Sequence, residues 1–234
     1  MLTRTLITAV ARFAGALLVT LALSSPPAAA QEPAPKHLLF LTHAGLYRHA
    51  SLANAEAAVT ELGRIGGFEV TTVQGHLQDP DSLDFSFLTP EFLAGFDGLM
   101  MMTNGNLPMT DEQRAAIIEF VRGGKGFIGV HNASLTFYDY PAFGEMLGAY
   151  FRRPIAQNRI FVLKVEDRDH PATRMLGPSW PVVDEFYHFG TAAWDPARPE
   201  ENVDVLFGNR IPMGFSRDRV KVLLSIDTEA SDID

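Results

Sequence analysis

The chain has 234 residues, no cysteine, and 19 basic against 28 acidic residues, for a formal net charge of −9. The absence of cysteine excludes disulfides, thiolate metal sites and thiol nucleophiles. The acidic balance argues against nucleic acid and anionic membrane surfaces as partners and is compatible with a neutral small molecule such as a sugar.

Residues 1–30 read as an export signal. Arg4 and Arg12 give a positive start, Phe13 to Leu23 is an apolar run too short to span a bilayer, and Ala28-Ala29-Ala30 suits cleavage after Ala30. Removal of the two arginines takes the formal charge from −9 to −11 and leaves about 200 residues, enough for one α/β domain with a real core. A periplasmic or secreted protein with no membrane association after cleavage is expected, held together by packing alone.

Gln31 to Lys36 is a Pro-rich leader. His37 to Leu41 reads as a buried strand, and Thr42 to Ala50 as a loop containing Gly45. Ser51 is the expected N-cap of a helix with Leu52, Ala55, Val59 and Leu62 on its inner face, stopped by Gly66-Gly67. Phe68 to Val73 alternates as a second strand, Thr89 to Leu93 is a short helical turn, and Phe96 to Met102 is a third strand. Thr110-Asp111-Glu112-Gln113 has the pattern of a capping box ahead of a helix ending near Arg122, with Gly123-Gly124 as its stop. Gly126 to Val130 is a fourth strand. Alternating strand and helix with short links predicts a parallel sheet covered on both faces, with ligands gathering at the carboxyl ends of the strands.

The fourth strand runs into Gly129-Val130-His131-Asn132-Ala133. A strand ending in a sharp turn of small residues projects its tip residue over the sheet edge, where hydrolases and class I glutamine amidotransferases carry a Ser or Cys nucleophile. Here the tip residue is His131, which can act as a base, bind a substrate or hold a metal but cannot replace a thiol.

Beyond about residue 155 helices give way to strands: Ile160 to Val165, Val182 to Phe189, Val203 to Phe207 and Val220 to Ile226 predict an antiparallel extension. His170-Pro171-Ala172-Thr173 suits a turn into a helix start. Leu223 to Asp227 reads as a strand heading into further structure, so a C-terminal strand and helix are expected to be absent.

Four segments taken together, Thr42 to Ser51, the His131 elbow, Asp169 to Thr173 and Asp184-Glu185-Phe186-Tyr187-His188-Phe189, resemble the ThuA-like trehalose-utilisation family over residues 37 to 227. The resemblance implies a flavodoxin-like, class I glutamine-amidotransferase-like fold and a role in catabolism of disaccharides through 3-keto sugars. The amidotransferase reaction itself is expected to be absent, because neither the elbow nor the rest of the sequence holds a cysteine. Members usually continue to a Gly-His-containing segment that this sequence lacks.

Three residues are the candidate catalytic groups. His131 is taken from the elbow, His49 from the loop after the first strand, and Glu185 from a run in which it shares a strand face with Tyr187 while Asp184 and His188 face the other way. His43, Asn104 and Tyr187 are candidate substrate contacts, and Tyr138 and Trp194 are aromatic surfaces with packing as their commoner fate. A divalent metal such as zinc, held by His49, His131 and Glu185, is an open alternative to plain acid–base chemistry, though no linear metal motif is present. The expected partner is a sugar or glycoside. An enzyme acting on 3-keto glycosides and a non-catalytic carbohydrate-binding or accessory domain both remain open, to be separated by the chemistry of the pocket.

Overall fold

The computed structural model describes residues 34–77, 83–155, 159–189, 203–206, 209–212 and 215–233. The expected export signal and Trp194 lie outside the described residues. Strand β1 (His37–Thr42) pairs in parallel with β2 (Glu69–Gln74) on one side and β3 (Gly98–Met102) on the other, and β3 pairs in parallel with β5 (Gly126–Gly129), giving the order β2-β1-β3-β5. The four segments expected as parallel strands are the four strands of this sheet. Between β3 and β5 lie the two-residue strand β4 (Asn104–Gly105) and helix α3 (Asp111–Arg122).

Side-chain alternation divides β1 between two cores. Leu39 and Leu41 face a large cluster with Phe85, Leu93 of α2 (Pro90–Leu93), Ile117 and Phe120 of α3, and Phe143 of α4 (Pro141–Leu147). Phe40 faces the opposite side, where Leu52 and Val59 of α1 (Leu52–Gly66) complete a smaller cluster. Helices therefore cover both faces of the sheet, as a parallel sheet requires.

Local chemistry sets the helix ends. Thr110 and Gln113 form the expected reciprocal capping box on α3, a device that contributes about 1 kcal/mol. Ser51 makes no side-chain cap on α1, which stops at Gly67 with φ 71°. The buried face of α1 is Leu52, Glu56, Val59 and Gly63, whereas Leu62 is exposed. The helix phase brings Glu56 inward because the Thr42 hydroxyl donates to its carboxylate at 2.6 Å.

The second half is antiparallel. After β6 (Leu135–Thr136), β7 (Phe151–Pro154) pairs with β10 (Tyr187–Phe189), and β8 (Ile160–Val165) lies between β9 (Ser179–Val183) and β13 (Leu224–Ile226). Strands β11 (Val203–Leu206) and β12 (Asn209–Pro212) form a separate hairpin. The run expected as one strand from Val182 to Phe189 is broken at Asp184–Phe186, where the Asp184 carboxylate accepts from the Glu185 backbone N–H at 2.8 Å. His170–Thr173 forms a turn and no helix, closed by the Thr173 hydroxyl donating to the carbonyl of Asp167. Among the described residues no helix is long and apolar enough to cross a membrane.

Candidate active site at the histidine elbow

The elbow forms where β5 ends. Val130 is still extended and its N–H donates to the Met101 carbonyl at 2.9 Å. His131 then takes φ 46°, and a single turn of 3-10 helix follows over His131–Ser134. A left-handed non-glycine residue costs about 1–2 kcal/mol. The turn is tight because its flanks are small: a Cβ on Gly129 would lie 3.4 Å from the Ala133 Cβ and 2.6 Å from Leu147.

His49 reaches this elbow by crossing the end of β3, which lies between β1 and β5 in the sheet. The loop after β1 is laid onto the chain that continues β3. His43 N–H donates to the Met102 carbonyl at 3.2 Å and Gly45 N–H to the Asn104 carbonyl at 3.0 Å. The Asn104 side chain then accepts from the N–H groups of Leu46 and Tyr47 at 2.7 and 3.1 Å and donates to the Tyr47 carbonyl at 2.6 Å. The approach leaves no room for side chains: a Cβ on Gly45 would lie 2.9 Å from the Asn104 carbonyl oxygen. The loop thus delivers the half-buried His49 to within 4.8 Å of the His131 ring, centroid to centroid and edge to face.

Glu185 and Tyr187 approach from the other side. The Tyr187 ring stacks on His131 at 4.5 Å, and its hydroxyl lies 2.7 Å from Nε2. A Glu185 carboxylate oxygen lies 3.3 Å from the same nitrogen. Phe151 of β7 braces Tyr187 from behind, edge to face at 4.4 Å. His49, His131 and Glu185 therefore converge, with Tyr187 as a fourth member. His131, Glu185 and Tyr187 border a cleft of about 760 Å³ whose walls include Asp184, Phe186, Leu163, Val220 and Leu224, and His49 stands just outside it. Because the strand is broken there, Asp184 and Glu185 both border the cleft, where alternation would have turned one of them away.

Burial holds the His131 imidazole below its ordinary value, and His49 pushes in the same direction; Glu185 and Asp184 oppose this without reversing it. His49 is likewise lowered by burial, opposed by Glu185. Burial, followed by the Glu185 carboxylate, pushes the Tyr187 phenol well above its ordinary range. At neutral pH the site holds two uncharged imidazoles and a protonated phenol.

Two expected substrate contacts sit elsewhere. His43 is buried, 3% exposed, beneath the loop and beside Phe85, and it does not border the cleft. Asn104 is 1% exposed, and both ends of its amide are engaged in holding the His49 loop, so it positions a site residue instead of facing a sugar. Tyr138 is buried in the core. Among the described residues no three His, Cys, Asp or Glu side chains form a group that could hold a metal ion. Nε2 of His131, the nitrogen nearest Glu185, is turned to Tyr187, so the donor set does not fit zinc and no step is assigned to a metal.

The sequence profile of the family described as ThuA, trehalose utilisation, matches residues 37–213. The chain belongs to the ThuA family. Its fold is similar to the crystal structure of a ThuA-like protein from Bacteroides uniformis ATCC 8492, with a TM-score of 0.56 and 22% identity over 88% of this chain and 73% of that one. A ThuA-like protein from Parabacteroides merdae ATCC 43184 gives a TM-score of 0.49 and 20% identity over 65% of this chain and 62% of that one. No curated protein matches the chain significantly. Within the ThuA-family fold, Asp184 and the Asn104 clamp are the features that sequence reasoning misassigned. The strand break between β9 and β10 has no clear periodic signal, and the clamp joins residues 57 and 58 positions apart.

Proposed function

We propose that this ThuA-family protein catalyses proton transfer on a sugar, cleaving 3-keto glycosides derived from disaccharides. The observation that carries the reading is the meeting of a neutral imidazole, a carboxylate and a protonated phenol at Nε2 of His131. A 3-keto glycoside has an acidic C–H beside its ketone. Loss of that proton places charge on the ketone oxygen, and collapse of the enolate expels the glycosidic oxygen from the neighbouring anomeric carbon. His131 takes the proton, Glu185 stabilises the imidazolium, and the Tyr187 hydroxyl donates to the oxygen that gains charge. The His131 imidazolium then returns that proton to the departing glycosidic oxygen, and the neutral His49, edge-on to His131, donates a hydrogen bond to it. The family's description as trehalose utilisation supports a disaccharide-derived substrate.

Export is part of the proposal: the mature protein starts at Gln31 and meets its substrate in the periplasm or outside the cell. Glutamine is not hydrolysed, since the chain holds no cysteine to form a thioester. The test is incubation of the full-length protein with 3-keto-trehalose. Release of free sugar that disappears in a folded His131→Ala protein is expected. Full release by His131→Ala overturns the assignment of His131, and binding without release assigns the site to a carbohydrate-binding module instead.

A further inference from the structure

The aromatic side chains of the site continue past the cleft. From Phe151 they run through Tyr187, His131 and His49 to Tyr47, whose ring meets His49 edge to face at 4.9 Å. His49 and Tyr47 do not border the cleft that His131, Glu185 and Tyr187 line, so the row of rings starts at the buried Phe151, passes the cleft at Tyr187 and His131, and has an outer end beyond it.

The outer end is built in an unusual way. Tyr47 is 66% exposed and the preceding Leu46 is 48% exposed. Exposed aromatics are ordinary on protein surfaces when they stand singly on mobile chain. Here the backbone under the ring is fixed. Both N–H groups of Leu46 and Tyr47 and the carbonyl of Tyr47 bond to the amide of Asn104, a side chain buried to 1% exposure. A buried amide with its hydrogen bonds satisfied specifies one conformation, and in this loop the conformation it specifies holds an apolar surface in water. Folding stability alone does not account for that arrangement. A rigid aromatic face in solvent suits a ligand whose own face is weakly polar, because little conformational freedom remains to be lost on binding. The C–H face of a pyranose ring has that character.

We infer that Tyr47 is the platform of an outer sugar subsite, stacking on a second ring of the substrate while the first lies in the cleft against Glu185 and Tyr187. The inference rests on the sugar reading above and adds that the substrate has at least two rings spanning the His49–His131 pair. It makes Tyr47 a specificity residue, separating two-ring substrates from single sugars.

The test measures binding of 3-keto-trehalose, with two rings, and 3-keto-glucose, with one, in a Glu185→Gln background where turnover is slow on the timescale of the binding measurement. Tyr47→Ala is expected to weaken 3-keto-trehalose about tenfold, the scale of one aromatic contact, and to leave 3-keto-glucose unchanged. Tyr47→Trp should retain the two-ring preference, and the melting temperature should not move, because the ring is exposed. Equal affinities for 3-keto-trehalose with and without the Tyr47→Ala substitution overturn the platform and leave the cleft reading intact. Equal loss for both sugars also overturns it, since Tyr47 would then act on the first ring. Failure of the unsubstituted protein to bind or turn over either sugar overturns the sugar reading and the platform together.

Discussion

His131 and its partners meet at one nitrogen but are carried by different kinds of support. His131 stands at the end of a strand hydrogen-bonded into the parallel sheet, on a backbone held at φ 46°. Glu185 lies in the break between two antiparallel strands, and Tyr187 on the short ribbon β7–β10, whose register shifts between His188 and Phe189. The buried clusters of the sheet layer draw almost wholly on residues before 155. The first half therefore supplies rigidity and strain, and the second brings in chemistry on a lightly packed element. If His131 is the base of the proposed reaction, it stands on the rigid side, and the Glu185 carboxylate and Tyr187 phenol stand on the adjustable side.

That division predicts which substitutions separate function from stability. Glu185→Gln should lower keto-glycoside turnover by roughly 10²-fold or more, the usual scale for an acid–base group, while moving the melting temperature little. A large fall in melting temperature would show that the ribbon also carries the fold. Gly144→Ala should do the reverse. Its Cβ would lie 2.8 Å from two atoms of the Tyr150 ring, which is fully buried with its hydroxyl donating to the Phe137 carbonyl at 2.6 Å. Overpacking of this kind costs about 1–3 kcal/mol. Denaturant unfolding should show the loss, and an unchanged midpoint would mean that α4 shifts freely.

The strain at the elbow gives a smaller effect. His131→Gly should be more stable than His131→Ala by about 1 kcal/mol, because glycine accepts positive φ without penalty, and both should be inactive. Equal stabilities would show that the elbow relaxes once the imidazole is gone. Lowering the pH gives the smallest effect on stability. Below the ordinary histidine value of 6.5 the unfolded chain protonates positions 49 and 131 while the folded protein resists. The unfolded state then binds more protons, and stability falls with pH from 6.5 down to the lowered folded values, flattening below them. Activity should fall over the same range as the base is protonated. A His131→Ala protein with an unaltered pH–stability slope would contradict the lowered imidazole.

The sheet and elbow were legible because their signals are local. Alternating apolar strands, the Thr110–Gln113 capping box and the small residues around His131 each lie within a few positions of one another. The break at Asp184–Phe186 was not legible, since a run rich in Val, Phe and Tyr looks like a continuous strand. Nor was the role of Asn104: a polar residue after a strand reads as a turn or a ligand, and only the folded chain brings Leu46 and Tyr47 onto its amide. Leu62 was misplaced because hydrophobicity assigned it inward, whereas the bond from Thr42 turns Glu56 to the interior.

The central claim, that His131 and Glu185 act as one proton-transferring unit, is tested most directly by a double-mutant cycle on release of free sugar from 3-keto-trehalose. The rates of the full-length protein, His131→Ala, Glu185→Gln and the double variant are compared. The account predicts that the double variant is no slower than His131→Ala alone, because residues acting as a unit are strongly non-additive. Losses that multiply, or a His131→Ala protein with full activity, would contradict it.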